Sequence, residues 1–341
     1  MTVTIRDVAK RAGVSIATVS RVLNQSKPVS EELRNRILQA VEETGYLPNA
    51  VARSMIRKQT GLIGVIIPEI SNPYFSGLVQ GIETVAKQNQ YYLMLAVSEK
   101  EPGRERELLR IYQARQMDGI ILASARLDPE LRQALEKLAV PYVVIGQRLT
   151  GLNAPCAVLD NRRAAFEAVS HLIRMGHREI GMVSGPMWDL ASGKERYQGF
   201  RDALEEAGLP FRTEWVTERE GFHLHDGYEG MKVILGAPER PTAVFCACDR
   251  MAVGALRRLE ERGIPVPEEM ALVGFDDEEL ASIVKPRLTT VRHSPFDMGL
   301  KAAGLLMEIL KGLPLTDGTC ALVKHDLVIR ESSSLSLSPR P

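Results

Sequence analysis

The sequence predicts an α/β protein in which a small N-terminal helix-turn-helix unit precedes two doubly wound parallel-sheet lobes. Its 341 residues are long enough for two or three domains. Two short amphipathic segments with helix-capping signals lie within the first 24 residues. From Gly61 onward, short apolar runs alternate with longer amphipathic stretches, which is the pattern of successive βα units.

The segment from Thr4 to Asn24 carries the signals of the two N-terminal helices. Thr4 is a favourable N-cap residue, and Asp7 stands where it completes a capping box. Gly13 ends the first helix, and Ser15 caps a second one. The second helix turns three apolar residues toward the first: Val19, Val22 and Leu23. Two helices joined by so short a turn form the unit that enters the major groove of DNA.

The outer face of the second helix is expected to contact DNA. Arg21 can form a bidentate contact with guanine, whereas Ile16 and Ala17 offer only apolar contact to thymine methyl groups. Polar residues of the same helix and its cap are expected to position it on phosphates: Ser15, Thr18, Ser20 and Asn24. This face therefore carries few base-reading groups.

A third helix is predicted from Glu31 to about Thr44, capped by Ser30 and ended by Gly45. Its apolar stripe would close a three-helix core: Leu33, Ile37, Leu38 and Val41. Residues 1–47 thus form the predicted headpiece.

Residues 48–60 form the predicted linker. Asn49 can cap one or two helical turns that include Ala52 and Met55, but so short a helix is unstable alone in water. We expect this segment to become helical only against a partner, and a plain flexible linker is the alternative.

Charge is distributed unevenly along a chain whose net charge is zero. Residues 1–60 contain ten Lys and Arg but only five Asp and Glu, so a net charge of +5 there is balanced in the remainder. A basic head on a mildly acidic body fits a DNA-binding unit joined to a separate sensing domain.

Several other classes of protein lack support in the sequence. No secretion signal and no apolar run of membrane-spanning length is found, so a cytoplasmic protein with no membrane partner is expected. No G-x-S-x-G or G-x-G-x-x-G motif marks an enzyme of the doubly wound type. His223 and His225 have no further metal ligands at suitable spacing, and neither a metal nor a cofactor is expected. The four cysteines are expected to be reduced thiols: Cys156, Cys246, Cys248 and Cys320.

The run AGVSIATVSRVLN, from Ala12 to Asn24, resembles the headpiece of the LacI/GalR family of bacterial transcription regulators. Further matching pieces follow in a consistent order: NPYFSGLVQGIE from Asn72, GHREIGMVSGP from Gly176, RPTAVFCACDRMAVGA from Arg240, GFDD from Gly274 and LTTV from Leu288. The resemblance implies a core similar to the periplasmic sugar-binding proteins and a linker that folds as a hinge helix in the minor groove. Met55 stands where the family inserts a leucine between base pairs, and methionine can serve as such a wedge.

The same resemblance implies a repressor of a sugar or related carbon-metabolism operon, which binds a pseudo-palindromic operator as a homodimer and responds allosterically to a small-molecule effector. The C-terminal tail has no heptads, so a dimer rather than a tetramer is expected. The alternative is an enzyme acting on a sugar or nucleoside, with an N-terminal DNA-binding regulatory domain.

The core is expected to span residues 61–331. Its first lobe comprises about 61–160 plus 292–320 and its second about 161–289 plus 322–331, with a disordered tail at 332–341. Apolar runs predict the strands of the two lobes: 62–67, 91–97, 119–123, 142–145, 157–159, 180–183, 243–246, 271–275, 289–291 and 327–329. A helix is predicted near Pro295 to Leu310.

Polar residues cluster after the carboxyl ends of these strands, where open α/β sheets bind ligands. Asp160, Asp249 and Asp276 follow strands, and Arg196 opens a helix after another. Carboxylates and a guanidinium facing one cleft suit a polyhydroxyl ligand, and aromatic rings would complete the site. The resemblance marks Arg196 and Asp276 as the residues most consistently used, and it adds or supports further positions: Tyr74, Phe75, Asp160, Ser192, Phe222 and Asp249. Where several family members carry glutamine this chain has His293, which changes the hydrogen bonds offered to the effector.

Overall fold

The computed structural model describes residues 3–24, 28–46, 59–123, 128–149, 151–316 and 318–334. The chain forms two compact units, an N-terminal one built on helices and a larger α/β one. The predicted hinge residues Asn49, Ala52 and Met55 lie outside the described residues, as does the chain beyond Ser334. None of the described helices is both long and apolar enough to cross a membrane.

Three helices form the N-terminal unit: α1 Ile5–Ala12, α2 Ile16–Asn24 and α3 Glu31–Thr44. The Asp7 carboxylate accepts hydrogen bonds from the amide and the hydroxyl of Thr4, both at 2.8 Å. These bonds lower the pKa of Asp7. Gly13 (φ +64°) and Gly45 (φ +65°) end α1 and α3 in the left-handed conformation that glycine adopts without strain. Helix bounds therefore follow the capping signals closely.

The helical core differs from the prediction at one residue. Val8, Val19 and Ile37 are fully buried at its centre. Leu38, which was predicted to lie in the stripe of α3, has 44% of its surface exposed. Ala40 is buried instead, because the helical turn of 100° per residue places positions 37, 40 and 41 on one face and position 38 beside it.

The first lobe is built on a six-stranded sheet. In spatial order it contains β11 Cys320–Val323, β5 Cys156–Leu159, β4 Tyr142–Ile145, β3 Gly119–Ala123, β1 Leu62–Ile67 and β2 Tyr92–Val97. The pairs β1–β3, β3–β4, β4–β5 and β5–β11 are parallel. The central strands β3 and β5 are buried along their whole length, which explains their unbroken apolar sequence.

The second lobe repeats this architecture. In spatial order its sheet contains β12 His325–Val328, β10 Thr289–His293, β9 Ala271–Asp276, β8 Ala243–Cys246, β6 Ile180–Ser184 and β7 Val216–Glu218. The edge strand β12 runs antiparallel to β10, and the other pairs are parallel. The short strands β7 and β11 were not predicted, since three or four residues at a sheet edge carry too little pattern to be recognised.

The longer helices of the two lobes follow the expected alternation with the strands: α4 Pro73–Gln88, α5 Pro102–Ala114, α6 Pro129–Glu136, α7 Asn161–Arg174, α8 Arg196–Glu206, α9 Leu224–Ile234, α10 Asp249–Glu261, α11 Glu279–Ile283 and α12 Pro295–Leu310. A π-helical turn, Leu190–Glu195, leads into α8. Single 3₁₀ turns lie at Thr213–Trp215 and Glu331–Ser333.

The chain passes between the lobes three times, after β5, after β10 and after β11. Strand β10 remains in the second sheet as far as His293, and β11 remains in the first as far as Val323. The last two crossings thus follow His293 and Val323.

The predicted disordered tail begins too early at residue 332. Ser332 and Ser333 are buried. The Ser332 hydroxyl accepts from the Thr289 amide at 2.8 Å and donates to the Leu272 carbonyl at 2.6 Å. Ser332 thus satisfies backbone groups of the second sheet, and the Ser333 hydroxyl donates to the Thr289 hydroxyl at 2.7 Å. The polar composition there reflects these hydrogen bonds rather than disorder.

The expectation of four reduced thiols was wrong for two of them. Cys156 and Cys320 occupy paired positions on the neighbouring strands β5 and β11, with their Cα atoms 4.5 Å apart, and form a disulfide. The pairing depends on the register of β11, which the sequence did not reveal. Cys246 and Cys248 are free and buried.

Candidate functional site

A cavity of about 120 Å³ lies between the two lobes, at the carboxyl ends of their strands. In the first lobe it borders the loop after β1, which lies at the point where strand order reverses between β1 and β3. In the second lobe it borders the loops after β6 and β8, where strand order also reverses. Doubly wound sheets leave a crevice at such switch points, so the topology itself creates this site.

Arg196 is the most heavily bonded side chain of the cavity, and it is 5% exposed. Its Nε donates to Asn161 Oδ1 at 2.9 Å, and its Nη1 donates to the Ala247 carbonyl at 2.6 Å. Its Nη2 lies 3.2 Å from Asp276 Oδ1. The guanidinium also stacks on Phe275, with its Cζ 3.5 Å from the ring centroid. These contacts fix its plane.

Asp276 ends β9 in an uncommon backbone conformation, with φ at +105°. Strain of this kind in a non-glycine residue is found mainly at functional sites. Burial opposes ionisation of its carboxyl group, but Arg196 and a hydrogen bond from His293 outweigh that effect and lower the pKa of Asp276. The cavity therefore presents a fixed carboxylate.

His293 ends β10 and contacts the same carboxylate oxygen as Arg196, with its Nε2 3.1 Å from Asp276 Oδ1. The ring centroid lies 5.9 Å from Phe275 and 5.8 Å from Tyr74. Because Tyr74 belongs to the first lobe, the imidazole lies at the junction of both lobes.

Aromatic side chains form part of the cavity wall. Tyr74 and Phe75, at the start of α4, meet edge to face with centroids 5.2 Å apart. The Tyr74 hydroxyl approaches Met298 Sδ at 3.4 Å, and burial raises its pKa. Phe222 packs over Gly185, where an added Cβ would lie 2.1 Å from the ring. Glycine at that position is therefore what allows the ring to reach the cavity.

The π-helical turn before α8 brings Asp189 and Ser192 to the cavity. Asp189 caps the turn by accepting from the Ser192 amide at 2.8 Å. Burial raises the pKa of its carboxyl group. Insertion of one π turn shifts where the following helix points its residues, and such turns recur at binding sites.

Seven of the nine predicted effector residues line the cavity: Tyr74, Phe75, Ser192, Arg196, Phe222, Asp276 and His293. The remaining two, Asp160 and Asp249, do not. Asp160 caps α7 by accepting from the Arg163 amide at 2.9 Å. Asp249 is fully buried, where it accepts from the Thr290 hydroxyl at 2.6 Å and from the Glu278 amide at 2.8 Å.

In both cases the next residue along the chain takes the place that was predicted. Asn161 lines the cavity beside Asp160, and Arg250 lines it beside Asp249. Other polar lining residues were also missed: Glu69, Asn72, Lys100, Asp189 and Glu278. Only their position in the sequence could have indicated them, because Glu69, Lys100 and Glu278 lie shortly after strands β1, β2 and β9 respectively.

A charged cluster joins the lobes at the cavity wall. Glu69 of the first lobe pairs with Lys100 at 2.8 Å and approaches Arg250 of the second lobe at 4.0 Å. Glu278 lies on the same cavity, where burial and the charge of Asp276 raise its pKa to about 7. The positive groups of the site thus lie close to carboxylates.

In the N-terminal unit, the predicted DNA-contacting face of α2 is open. Ile16 is 44% exposed, and Ala17 and Arg21 are also exposed. The Ser15 hydroxyl is 2.8 Å from that of Thr18 and accepts from the Thr18 amide at 3.2 Å, so both residues shape the start of α2. Ser20 is half-buried. The side chain of Asn24 lies outside the described residues.

Comparisons with known proteins agree with this arrangement. Residues 4–49 match the model of bacterial regulatory proteins of the lacI family, and residues 169–333 match a periplasmic binding protein-like domain. Catabolite control protein A of Priestia megaterium is 36% identical over 98% of this chain and 100% of its own length. The ribose operon repressor of Haemophilus influenzae is 32% identical, over 96% and 98%.

The fold has similar counterparts among solved structures. A Lac repressor dimer bound to operator and the anti-inducer ONPF superimposes with a TM-score of 0.88 at 27% identity, covering 98% of this chain and 99% of that one. Two of these proteins are named as repressors, the third is named as a control protein, and the matching family model describes regulatory proteins, so the predicted enzyme alternative finds no support among them. The chain belongs to the LacI family of bacterial transcriptional regulators.

Proposed function

We propose that this protein is a ligand-responsive repressor that binds a pseudo-palindromic operator as a homodimer and is controlled by a sugar-like effector in the interlobe cavity. One observation carries the proposal: a single chain joins a helix-turn-helix with an exposed outer face to a cavity lined by the buried Arg196, Asp276 and His293. The first part supplies an output on DNA, and the second supplies a small-molecule input.

The DNA contact rests on α2. Arg21 is the base-reading residue, since a bidentate arginine–guanine contact contributes about 1–3 kcal/mol of discrimination. Ile16 and Ala17 add apolar contact to thymine methyl groups, while Ser15, Thr18, Ser20 and Asn24 set the helix on phosphates. The hinge segment with Asn49, Ala52 and Met55 adds minor-groove contacts, with Met55 as the wedge.

The cavity favours an uncharged polyhydroxyl ligand. Carboxylate, amide and guanidinium groups can each form directed hydrogen bonds with neighbouring hydroxyls, and aromatic rings cover the apolar face of a sugar. Three cationic side chains line the cavity, Arg196, Lys100 and Arg250, beside four carboxyl groups, Glu69, Asp189, Asp276 and Glu278, so the cavity has no excess of positive groups to favour a phosphate.

The switch is a shift in population between two relative orientations of the lobes. A ligand that touches Tyr74 of the first lobe and Arg196 of the second binds best to one relative setting, and it favours that setting by its differential affinity. The three chain crossings transmit the change toward the hinge pair of the dimer, and coupling of this kind typically alters DNA affinity about 5- to 150-fold. Operation in the cytoplasm, where operator and metabolite meet, follows from this role.

Operator selection from random DNA, followed by fluorescence anisotropy, tests the proposal. We expect at least one compound from a panel of monosaccharides, disaccharides and nucleosides to change the operator Kd about fivefold or more. The compound should be recovered chemically intact, because turnover would indicate an enzyme.

Two variants separate the two ends of the switch. Phe222→Ala should remove the effector response and leave the effector-free operator Kd within about twofold, whereas Arg21→Ala should weaken operator binding and leave the effector-induced thermal shift unchanged. Loss of effector-free DNA binding in Phe222→Ala would contradict the assignment of the cavity.

Met55→Ala should weaken binding to the operator more than binding to random DNA. Equal losses on both kinds of DNA would exclude Met55 as the wedge.

A further inference from the structure

Two consecutive residues at the edge of the cavity have an unfavourable backbone conformation. Asp276 ends β9 with φ at +105°, and Asp277 follows it with φ at +54°. Residues other than glycine avoid positive φ, and such a conformation persists only where the surrounding structure holds it. Asp276 carries the cavity carboxylate that is paired with Arg196. The contacts that hold this turn therefore determine where that carboxylate lies.

Two hydrogen bonds hold the backbone of the turn. The Asp277 amide donates to the Thr290 hydroxyl oxygen at 3.3 Å, and the Glu278 amide donates to Asp249 Oδ2 at 2.8 Å. The Thr290 hydroxyl in turn donates to Asp249 Oδ1 at 2.6 Å, so both bonds depend on the same buried carboxylate. These contacts hold the backbone that follows Asp276, and the side chain of Asp277 has a different partner.

That partner is Arg330, which does not line the cavity itself. Its Nη2 donates to Asp277 Oδ1 at 2.6 Å, and the two side chains are only 17% and 12% exposed. The guanidinium is also held by a second bond, because Nη1 donates to the Leu288 carbonyl at 2.8 Å. Shielding from water makes an ion pair of this kind stronger than one on the surface. Arg330 thus connects the turn to the backbone just before β10.

The segment that carries Arg330 is itself anchored to the second sheet. The Arg330 amide donates to the Thr289 hydroxyl oxygen at 2.8 Å. Ser332 and Ser333, which follow, are buried and bond to the same threonine. A guanidinium can support a strained turn only from a fixed position, and these bonds supply one. Because the segment directly follows β12, the support comes from the part of the chain that enters the second lobe last.

We propose that Arg330 is a positioning residue for effector binding, which acts through Asp277 to hold the strained turn and thereby the Asp276 carboxylate. This inference rests on the proposed function, in that it assumes an effector that bonds to Asp276. Without Arg330 the turn relaxes toward ordinary backbone angles, and the conformation that binds the effector becomes a minor one. The strain of one such residue corresponds to a loss of effector affinity of about 5- to 150-fold.

Arg330→Met is the test variant, and Arg287→Met is its matched control. Methionine keeps much of the aliphatic stem of arginine and removes both bonds of the Arg330 guanidinium. Arg287 pairs with Glu331 of the same C-terminal segment at 2.8 Å, but its side chain is 59% exposed and its bonds go to Glu331 rather than to the turn. Each variant removes one arginine that pairs within this region, so only a specific role of Arg330 separates them.

The first test needs no ligand. Hydrogen–deuterium exchange of the full-length protein is followed by mass spectrometry at a peptide that spans residues 273–280. We expect the amides of Asp277 and Glu278 to exchange about fivefold faster or more in Arg330→Met, and at the wild-type rate in Arg287→Met. A peptide from α4 of the first lobe should exchange as in the wild type in both variants. Unchanged exchange at residues 273–280 in Arg330→Met overturns the proposal.

The second test measures effector affinity by calorimetry. The probe is whichever of D-ribose, D-xylose, D-glucose, D-galactose and cellobiose binds the wild type most tightly. Arg330→Met should bind it about 5- to 150-fold more weakly, while its operator Kd without sugar stays within about twofold of the wild type. A general loss of folding would weaken both affinities. Arg287→Met should keep both within about twofold.

A double-mutant cycle tests whether Arg330 acts through Asp277. Asp277→Asn removes the charge of the partner and keeps a residue type that tolerates positive φ. It should also weaken binding of the sugar. The double variant Arg330→Met, Asp277→Asn should bind the sugar within about twofold of the weaker-binding single variant. Losses that multiply would mean that the two residues act independently, which overturns the proposal.

The outcomes separate the two proposals. If no sugar binds or alters operator affinity, the sugar-responsive function fails, and the exchange experiment alone decides whether Arg330 holds the turn. If a sugar binds Arg330→Met as tightly as the wild type, the positioning role is wrong and the proposed function stands. If Arg330→Met does not fold, Arg330→Gln takes its place, and unchanged sugar affinity again refutes the role.

Discussion

Replacement of Arg196 by methionine should destabilise the second lobe and reverse the way its stability responds to acid. Methionine keeps much of the aliphatic volume but leaves Asp276 buried without its guanidinium partner. At 3.2 Å and an effective dielectric constant of about 20, the attraction between the two charges is about 5 kcal/mol. Breaking a buried ion pair from one side typically costs about 3–5 kcal/mol. We expect a loss in that range at pH 8.

The pH dependence gives a more specific signature. In the wild type the pKa of Asp276 is lowered, so its contribution to stability is present above the ordinary value of 3.8 and is lost only as pH falls below it. Without Arg196, burial dominates and the pKa should rise. The variant then gains stability as acid protonates the folded carboxyl group, and its deficit relative to the wild type should shrink between pH 8 and pH 5.

Urea unfolding followed by tryptophan fluorescence measures this directly, because both tryptophans, Trp188 and Trp215, belong to the second lobe. The double variant Arg196→Met, Asp276→Asn is the matched control. It removes both charges, so it should recover part of the lost stability and show a deficit that does not change with pH. A single-variant deficit below about 1 kcal/mol, or one that is equal at pH 8 and pH 5, would refute the reasoning.

Three other perturbations test separate features. Replacing both Cys156 and Cys320 by serine should lower the free energy of unfolding by about 2–5 kcal/mol, and the wild type treated with reductant should have the same stability as this variant. Equal stability of the wild type with and without reductant would contradict this prediction. Burial raises the pKa of Glu278 from 4.5 to about 7, so stability falls as pH rises through that interval. Glu278→Gln should therefore be more stable than the wild type at pH 8 and equally stable at pH 4 in urea titrations, and an equal difference at both pH values would contradict this. In Gly274→Ala the new Cβ would lie 2.2 Å from a carboxylate oxygen and should cost about 1–3 kcal/mol by calorimetry, whereas Gly304→Ala, with nothing within 4 Å, should not destabilise the protein.

Local signals predicted most of the fold. Helix α3 begins after Ser30 and ends before Gly45, as those two residues predict, because capping depends on the few residues around each helix end. The central strands are buried on both faces and therefore read as continuous apolar runs. The pairing of Cys156 with Cys320 is a different matter, since it depends on the register of two strands separated by 164 residues.

The site was predicted to within one residue at two positions, for a physical reason. An N-cap residue directs its side chain to the amides of its own helix, while the next residue points elsewhere, and which of the two faces a cavity depends on how the helix is rotated against the sheet. That rotation is set by tertiary packing. Asp160 therefore caps α7 while Asn161 lines the cavity. Asp249 is the first residue of α10 rather than its cap, and its carboxylate accepts from Thr290 and Glu278 outside that helix, while Arg250 lines the cavity.

The late return of β11 to the first sheet has a consequence for synthesis of the protein. Strands β1–β5 have been translated once Leu159 is added, yet the strand that covers the edge of β5 begins only at Cys320. At about 5–20 residues per second, a ribosome needs about 8–32 s to make the intervening chain. During that time β5 presents an unpaired edge with a free Cys156 thiol. An unpaired edge is a template for pairing with another chain, so this interval exposes the nascent protein to misassembly through β5.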